Sequence, residues 1–234
     1  MQNMSDKLLI KDRDVVTPGE ILATGMSFLP GQGTYRENEH VHSNMLGLAQ
    51  VSGKVIKILP LRGSYTPKFN DRIICKVVNV HMSGWSVDTG SAYHGMISLK
   101  DATNDFIRRG ANLTDYFAPG EWVFAKVTNV TSQKLIDLSV RGPGLRKLGP
   151  GRIITINCQK VPRVIGKEGS MVSLLKDNTG CYVYVGQNGR IWISGEAEKE
   201  RLVCEIIKYI EANAHKKGLT DKVQAFLKAG KVKE

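Results

Sequence analysis

The chain has 234 residues, of which 41% are hydrophobic and 24% charged, a composition typical of a globular protein with two or three small domains. No apolar run approaches the length of a membrane span and no signal-peptide core follows the N-terminus, so we expect a cytoplasmic protein without a membrane partner. The four cysteines form no CxxC pair, which argues against a zinc site or a disulfide framework and favours a reducing compartment.

The net charge is +11, and its distribution along the chain is uneven. Residues 1–64 contain 7 basic and 6 acidic side chains, a net charge of only +1, whereas the rest of the chain carries the remaining +10. A basic surface of this kind attracts a polyanion such as a nucleic acid, with an affinity that falls as salt rises. The nearly neutral N-terminal part is expected to have a different task.

Residues 1–64 are predicted to form a small β domain, because Pro-Gly and Ser-Gly turn signals recur between β-prone runs. Strands are expected near residues 20–24, 40–50 and 54–59. His40 and His42 occupy alternate positions of one strand, where they could bind a metal ion. No third ligand follows in a matching pattern, so we predict no metal, and nothing else in the sequence predicts a cofactor.

Residues 65–146 are predicted to be all-β. Five short strands with one long loop fit an OB barrel. The strands are expected near residues 71–80, 84–88, 93–98, 121–130 and 134–140, and the loop near residues 100–120.

Residues 147–216 contain the loop Gly166-Lys167-Glu168-Gly169 between two apolar helical segments. The predicted order of elements is strand, helix, GxxG loop, helix, strand, strand, helix, which resembles a type I KH domain (βααββα). In that family the GxxG loop clamps the backbone of single-stranded RNA, since glycines permit close approach and the following helix directs its N–H groups at phosphate. The fold class is therefore multi-domain, β-rich and then α+β.

Other cations near the GxxG loop are candidate RNA ligands beside Lys167. Arg163 and Lys176 could supply additional phosphate contacts, or they could be solvated helix charges. Glu168 departs from the pattern of many RNA-binding KH loops, because an acidic residue offsets the charge of Lys167. The tail, residues 217–234, is basic, and the spacing of its apolar residues predicts a short helix that packs on the KH domain or binds a partner.

Two segments of the predicted barrel, GWSVDTGSAYHGMISLKD at 84–101 and PGEWVFAKV at 119–127, resemble the S-one-type OB domain of ribosomal proteins and ribonucleases. The resemblance implies a strand face whose aromatic side chains stack on bases. Trp85, Tyr93 and His94 are the matching or neighbouring positions, although Ser86 replaces a second aromatic residue and Trp85 could instead be packed inside. Arg108 and Arg109 in the long loop are either a phosphate-steering rim or solvated charges.

Three further motifs make the resemblance more specific: TPGEILAxG at 17–25, GxGTYR at 31–36 and PLRGxYxPxxxD at 60–71. Together with the barrel and the KH domain they resemble the cap subunit of the archaeal exosome. That family implies a non-catalytic protein, three copies of which cap a hexameric ring of phosphorolytic ribonuclease subunits and feed it single-stranded RNA. The implied ring-docking motifs contain Pro18, Gly19, Gly33, Thr34, Tyr35 and Arg36.

The sequence shows no constellation of catalytic residues, in agreement with a binding role. The alternative is a free-standing RNA-binding regulator of transcription or translation, built from the same modules. The two readings differ in assembly, since only the first requires docking through residues 1–64.

Overall fold

A computed structural model describes residues 6–105, 107–108, 110–216 and 218–230. The chain divides into two units, Met1–Gly63 and Ser64–Glu234. The second unit contains both the barrel and the KH domain, whereas the first contains the N-terminal β domain.

In the described part of the first unit, eight short strands form two four-stranded sheets with the orders β1-β3-β6-β5 and β2-β7-β8-β4. Leu22, Val41 and Ile56 are fully buried in the core of this unit. The strands are β1 (Lys7–Leu8), β2 (Val15–Val16), β3 (Ile21–Thr24), β4 (Leu29–Pro30), β5 (Thr34–Glu37), β6 (His40–Ser43), β7 (Gly47–Ser52) and β8 (Val55–Pro60).

The single strand predicted over residues 40–50 is wrong, because the chain turns at Ser43. The Ser43 hydroxyl donates a hydrogen bond to the Met45 carbonyl at 2.6 Å and accepts one from the Met45 N–H at 3.3 Å. This local side-chain turn competes with the strand ladder and separates β6 from β7.

A five-stranded barrel opens the second unit, with the strand order β13-β11-β10-β9-β12. An additional β12–β13 pairing closes it, which confirms the OB-type barrel expected from the sequence. A short helix, α1 (Leu99–Ala102), and a 3-10 turn at Leu113–Asp115 lie in the long connection after β11, and a short strand, β14 (Arg146–Lys147), pairs with β12. The barrel strands are β9 (Arg72–His81), β10 (Gly84–Asp88), β11 (His94–Ser98), β12 (Trp122–Val130) and β13 (Ile136–Ser139).

The KH domain follows with the expected element order. Its sheet has the order β15-β17-β16 and is antiparallel throughout. The elements are β15 (Arg152–Thr155), α2 (Val161–Ile165), α3 (Ser170–Thr179), β16 (Tyr182–Val185), β17 (Arg190–Ser194) and α4 (Ala197–Ala212). This order confirms the type I KH fold.

The C-terminal segment forms the predicted helix, α5 (Leu219–Ala229). Leu219 and Val223 are buried in the KH core, and the Phe226 ring meets Tyr209 of α4 edge to face at 4.8 Å. The helix therefore packs on the KH domain, one of the two possibilities that the sequence left open.

The turn between β16 and β17, residues 186–189, joins the KH domain to the barrel. Strand β10 ends at Asp88, opposite Lys76, so the backbone of Ile74 lies beyond the end of that ladder. The Asn188 amide takes the place of a strand: it donates to the carbonyls of Ile74 at 2.8 Å and Thr89 at 2.7 Å, and accepts from the Ile74 N–H at 3.3 Å. Asn188 is 5% exposed, so these bonds are shielded from water.

An apolar cluster lies beside this turn. Trp192 of β17 is buried with Ile74, Phe124 and Leu148, and Tyr184 of β16 packs at its edge. The Tyr184 ring is 5.3 Å from Phe124 and 5.7 Å from Trp192. Because this cluster and the Asn188 bonds span both domains, the barrel and the KH domain share one buried junction.

Candidate nucleic-acid interface

The GxxG loop, residues 166–169, has the backbone conformation that its glycines allow. Gly166 and Gly169 have φ of +76° and +82°. A Cβ on Gly166 would lie 2.7 Å from the Met171 nitrogen, whereas a Cβ on Gly169 would meet nothing within 4 Å. At Gly166 a larger residue is excluded both by the lack of room for a Cβ and by the positive φ, whereas at Gly169 only the positive φ favours glycine. Among the described residues no side chain caps the N-terminus of α3. The Ser170 N–H donates to the Lys167 carbonyl, so the N–H groups left for water or a ligand are those that follow Ser170 in the first turn.

The candidate cations around the loop have different environments. Lys167 and Glu168 are both exposed, and the Lys167 side chain makes no hydrogen bond or ion pair with the residues that the structure describes. The Arg163 guanidinium, in contrast, donates to the carbonyls of Ala214 at 2.8 Å and Lys216 at 3.4 Å, which gives it a structural role after the end of α4. Lys176 is exposed, with its ammonium 5.6 Å from the centre of the Tyr184 ring.

Trp85 cannot stack on a base because it is buried, so the RNA-binding role expected from the S-one-type resemblance is wrong. Strand β10 turns Trp85 and Val87 into the barrel and Ser86 and Asp88 outward. The Trp85 side chain is fully buried, and its Nε1–H donates to the Phe117 carbonyl at 2.9 Å. The alternative reading, core packing, is therefore the right one.

The other barrel candidates lie near the surface. Tyr93 is 44% exposed in the loop before β11, and His94 is exposed at the start of that strand, in register with Asp88 of β10. Arg108 is exposed in the long connection, and Arg109 lies outside the described residues. Tyr93, His94 and Arg108 thus remain available to a ligand.

Part of the strand face next to His94 is used to hold the KH domain. The Asp88 carboxylate forms an ion pair with Arg190 at 2.5 Å, and Arg190 also donates to the Asp88 carbonyl at 2.9 Å. Burial tends to raise the pKa of Asp88, but hydrogen bonds from the Gly90 N–H and from Arg190, with the positive charge of Arg190, outweigh it and lower the pKa. Sequence reasoning missed Arg190 and Asn188, whose roles depend on residues about 100 positions away.

The predicted docking residues of the first unit are only partly at the surface. Thr34 donates its hydroxyl to the carbonyls of Gly31 and Ile56, and Arg36 bonds the carbonyls of Gly25 and Phe28, so both fasten loops of the domain. Tyr35 is 41% exposed and stacks on His42, with 5.3 Å between ring centres. Pro18 and Gly19 form an exposed turn, whereas Gly33 is buried.

Comparison with known proteins agrees with this architecture. Residues 13–62 match the profile of the exosome RNA binding protein RRP4 N-terminal domain, and residues 151–199 match that of a KH domain. Exosome complex component Rrp4 of Methanothermus fervidus is 39% identical over 220 residues, which cover 94% of this chain and 97% of the relative. The protein of that name from Methanobrevibacter smithii is 40% identical over 217 residues, covering 93% and 72%.

The chain belongs to the Rrp4 family of exosome components. A crystal structure described as that of an exosome complex RNA-binding protein also aligns with it, with a TM-score of 0.64 and 29% identity over 72% of this chain and 97% of the other. The family that the sequence motifs indicated is thereby confirmed, along with an N-terminal domain, a barrel and a KH domain in that order.

The Rrp4-type N-terminal domain is rich in exposed apolar side chains. Of the large hydrophobic residues exposed in the described parts of the chain, ten lie in the first unit and seven in the much longer second unit. Leu46, Leu59 and Leu61 lie close together, because Leu59 is in register with Leu48 and the Leu61 N–H meets the Leu46 carbonyl. The other seven of the first unit are Leu8, Leu9, Val15, Ile21, Met26, Leu29 and Tyr35.

The described residues of this Rrp4-family protein contain no group of three or more His, Cys, Asp or Glu side chains arranged to bind a metal ion. His40 and His42 do lie together, edge to face at 6.1 Å, but His42 binds the Gly19 carbonyl at 3.2 Å through Nδ1. Among the described helices, none is both long and apolar enough to cross a bilayer.

Proposed function

We propose that the protein is a non-catalytic cap of the exosome, which binds single-stranded RNA in the cytoplasm and feeds it to a hexameric ring of phosphorolytic ribonuclease subunits. Three copies would surround the ring entrance. One observation carries the proposal: exposed apolar side chains concentrate in the nearly neutral first unit, while the net positive charge is in the second. Exposed apolar side chains are typical of a surface that binds another protein, and positive charge attracts RNA.

The first unit would dock on the ring through the patch of Leu46, Leu59 and Leu61, whose exposed fractions are 46%, 52% and 42%. The exposed Tyr35 and the Pro18-Gly19 turn would extend the contact. Gly33, Thr34 and Arg36 would act indirectly, since they hold the loops that shape the domain.

The second unit would hold the RNA. Lys167 and the uncapped N-terminus of α3 would contact the phosphates at the GxxG loop, with Lys176 nearby. Tyr93, His94, Arg108 and Arg109 would contribute on the barrel. Cleavage of the RNA would take place in the partner ring, and this chain would supply only binding and direction.

Docking can be tested with the double variant Leu46→Asp, Leu59→Asp. Leu46 and Leu59 are already about half buried in the free chain, so docking can gain only about half of the roughly 1.5–3 kcal/mol of a whole leucine side chain. Losing both contacts should weaken ring association by about 10-fold to 150-fold. The measurement is size-exclusion chromatography with light scattering on mixtures with purified ring subunits.

The matched control for docking is Met82→Asp, because Met82 is 98% exposed but lies in the second unit. It should associate with the ring like the unmodified protein. If the unmodified chain elutes as a monomer in the presence of the ring subunits, the cap function is wrong. The alternative hypothesis, a free-standing RNA-binding regulator, is then favoured.

RNA contact at the GxxG loop predicts a gain of affinity for Glu168→Lys. The exchange replaces a carboxylate beside Lys167 with a second cation, and neither side chain is better suited to the φ of +54° at this position. In fluorescence anisotropy with a labelled oligonucleotide, the variant should bind more tightly, and its salt slope should steepen by about one unit.

Glu198→Lys is the matched control for this gain. Glu198 is exposed in the first turn of α4, and its replacement changes the net charge by the same amount as Glu168→Lys. It should leave the slope nearly unchanged. Equal slopes for both variants would mean that the charge of the whole domain, and not the GxxG loop, governs binding.

A further inference from the structure

The barrel has a second concave surface, at the end where the long connection folds over β13. A cavity of about 290 Å³ lies there between the end of α1, the 3-10 turn and residues 140–147. Ala102, Phe117 and Val140, all buried, form its apolar lining. The half-buried Tyr116 lines the same cavity and meets Trp85 edge to face, with 6.5 Å between ring centres. The cavity is close to the lower size limit of small-molecule sites.

The polar residues around the cavity are cationic or neutral. Of the nine described residues that line it, two are cations, Arg146 and Lys147, and none is a carboxylate. Lys147 is already bound to Glu121 at 2.6 Å and to the Tyr116 carbonyl at 3.3 Å. The exposed Arg146 guanidinium lies 5.2 Å from the centre of the Tyr184 ring and makes no hydrogen bond or ion pair within the described part of the chain. Its five N–H donors are therefore available to an anion.

The same cavity is also lined by two hydrogen-bonding side chains, Thr103 and Asn104. The Asn104 carbonyl oxygen accepts from Arg141 at 3.1 Å, which fixes its side chain and turns the NH2 group the other way. The hydroxyl of Thr103 accepts from the Asp105 N–H at 3.1 Å and keeps its own proton for donation. An apolar wall with an aromatic ring, two polar side chains and a free guanidinium match the base and phosphate of a nucleotide.

Strand β10 of the barrel carries no aromatic residue on its outward side. Trp85 points inward and Ser86 points outward on β10, so the face cannot stack a base between these positions. Two aromatic residues line the concave, cation-bearing site, and of these Tyr116 is the half-buried one, since Phe117 is buried.

We infer that this cavity binds one nucleotide of single-stranded RNA, with the base against Tyr116 and the phosphate on Arg146. The inference rests on the proposed RNA-binding function and makes it specific. It places base recognition at the end of the barrel, away from the strand face and from the GxxG loop.

The aromatic contact is tested with Tyr116→Leu and Tyr116→Phe, using anisotropy of a fluorescein-labelled oligoadenylate of roughly ten nucleotides, a length within the range of single OB folds. Loss of one stacked base should weaken binding between about 5-fold and 150-fold in the leucine variant. The phenylalanine variant should bind like the unmodified protein. The unmodified protein should bind an oligonucleotide with abasic sites more weakly than the intact one. Tyr116→Leu should bind the two oligonucleotides with equal affinity.

The phosphate contact is tested with Arg146→Gln, which leaves the barrel core unchanged. Its salt slope should fall by about one unit, while Arg201→Gln, an exposed arginine of α4 paired with Glu205, should keep the original slope. Thermal unfolding of each variant identifies any loss of fold. If Tyr116→Leu does not fold, the salt slope of Arg146→Gln alone tests whether the cavity binds a nucleotide.

The outcomes separate this inference from the proposed function. If the unmodified protein does not bind the oligonucleotide, RNA binding itself is wrong. If it binds, and both Tyr116→Leu and Arg146→Gln bind equally well, the cavity inference alone is overturned.

Discussion

Replacing Asn188 with leucine is expected to lower the free energy of unfolding of the second unit by about 2–5 kcal/mol. The substitution keeps the approximate size of the side chain but removes the amide that pairs with the backbone of Ile74 and Thr89. Buried groups left without a partner cost about 1–3 kcal/mol each, and some relaxation of the turn reduces the sum. Chemical denaturation followed by tryptophan fluorescence measures the change.

Asn178→Leu is the matched control for this effect. Asn178 is exposed on α3 and bonds only the Leu174 carbonyl of its own helix among the described residues. Its replacement should change stability by no more than about 0.5 kcal/mol. Equal stabilities of the two variants would show that the KH turn does not hold the barrel.

Removing the charge of Asp88 should destabilise the same junction in a pH-dependent manner. Asp88→Asn leaves the Arg190 side chain, 14% exposed, without its counter-charge, at a cost of about 1–3 kcal/mol near neutral pH. Folding lowers the pKa of Asp88, so its contribution is fully present above the unfolded-state pKa of about 3.9 and is lost as the pH falls through the folded-state pKa.

The stability difference between the unmodified protein and Asp88→Asn should therefore stay constant above about pH 5 and shrink below about pH 4. Denaturation curves at several pH values measure it. Asp177→Asn, on the exposed face of α3, should differ little from the unmodified protein across the series. A gap between Asp88→Asn and the unmodified protein that does not shrink in acid would contradict the role of the Asp88 charge.

Local sequence patterns predicted most of the strands and helices, because each depends on residues close together in the chain. Strand β10 was expected at residues 84–88 and is found there, and the turn after β16 follows from its Gln-Asn-Gly sequence. The break between β6 and β7 escaped prediction, since it depends on a hydroxyl of Ser43 that could equally have faced solvent. Residues 40–50 read as one strand for that reason.

Side-chain direction was harder to predict than the strands that carry it. The pattern placed Trp85 on a strand without saying which face was inside, and the packing of Phe117 across the barrel decides that. The sequence left open whether Arg163 is a phosphate ligand or a solvated helix charge. Its hydrogen bond to the Ala214 carbonyl depends on the position of the end of α4, which the local pattern does not give. The Tyr116 and Arg146 cavity was not visible in the sequence, because its walls come from segments separated by other elements.

The pairing of Asn188 with Ile74 has a consequence for synthesis of the chain. The two residues are 114 positions apart, so Ile74 emerges from the ribosome well before its partner exists. At about 5–20 residues per second, roughly 6 to 23 s pass between synthesis of Ile74 and of Asn188, and Phe124 lacks its Trp192 partner for roughly 3 to 14 s. The buried core of the N-terminal unit comes from residues 10–58 alone, so that core can form before the barrel is made, whereas the barrel side of the junction is completed only after Trp192 is synthesised.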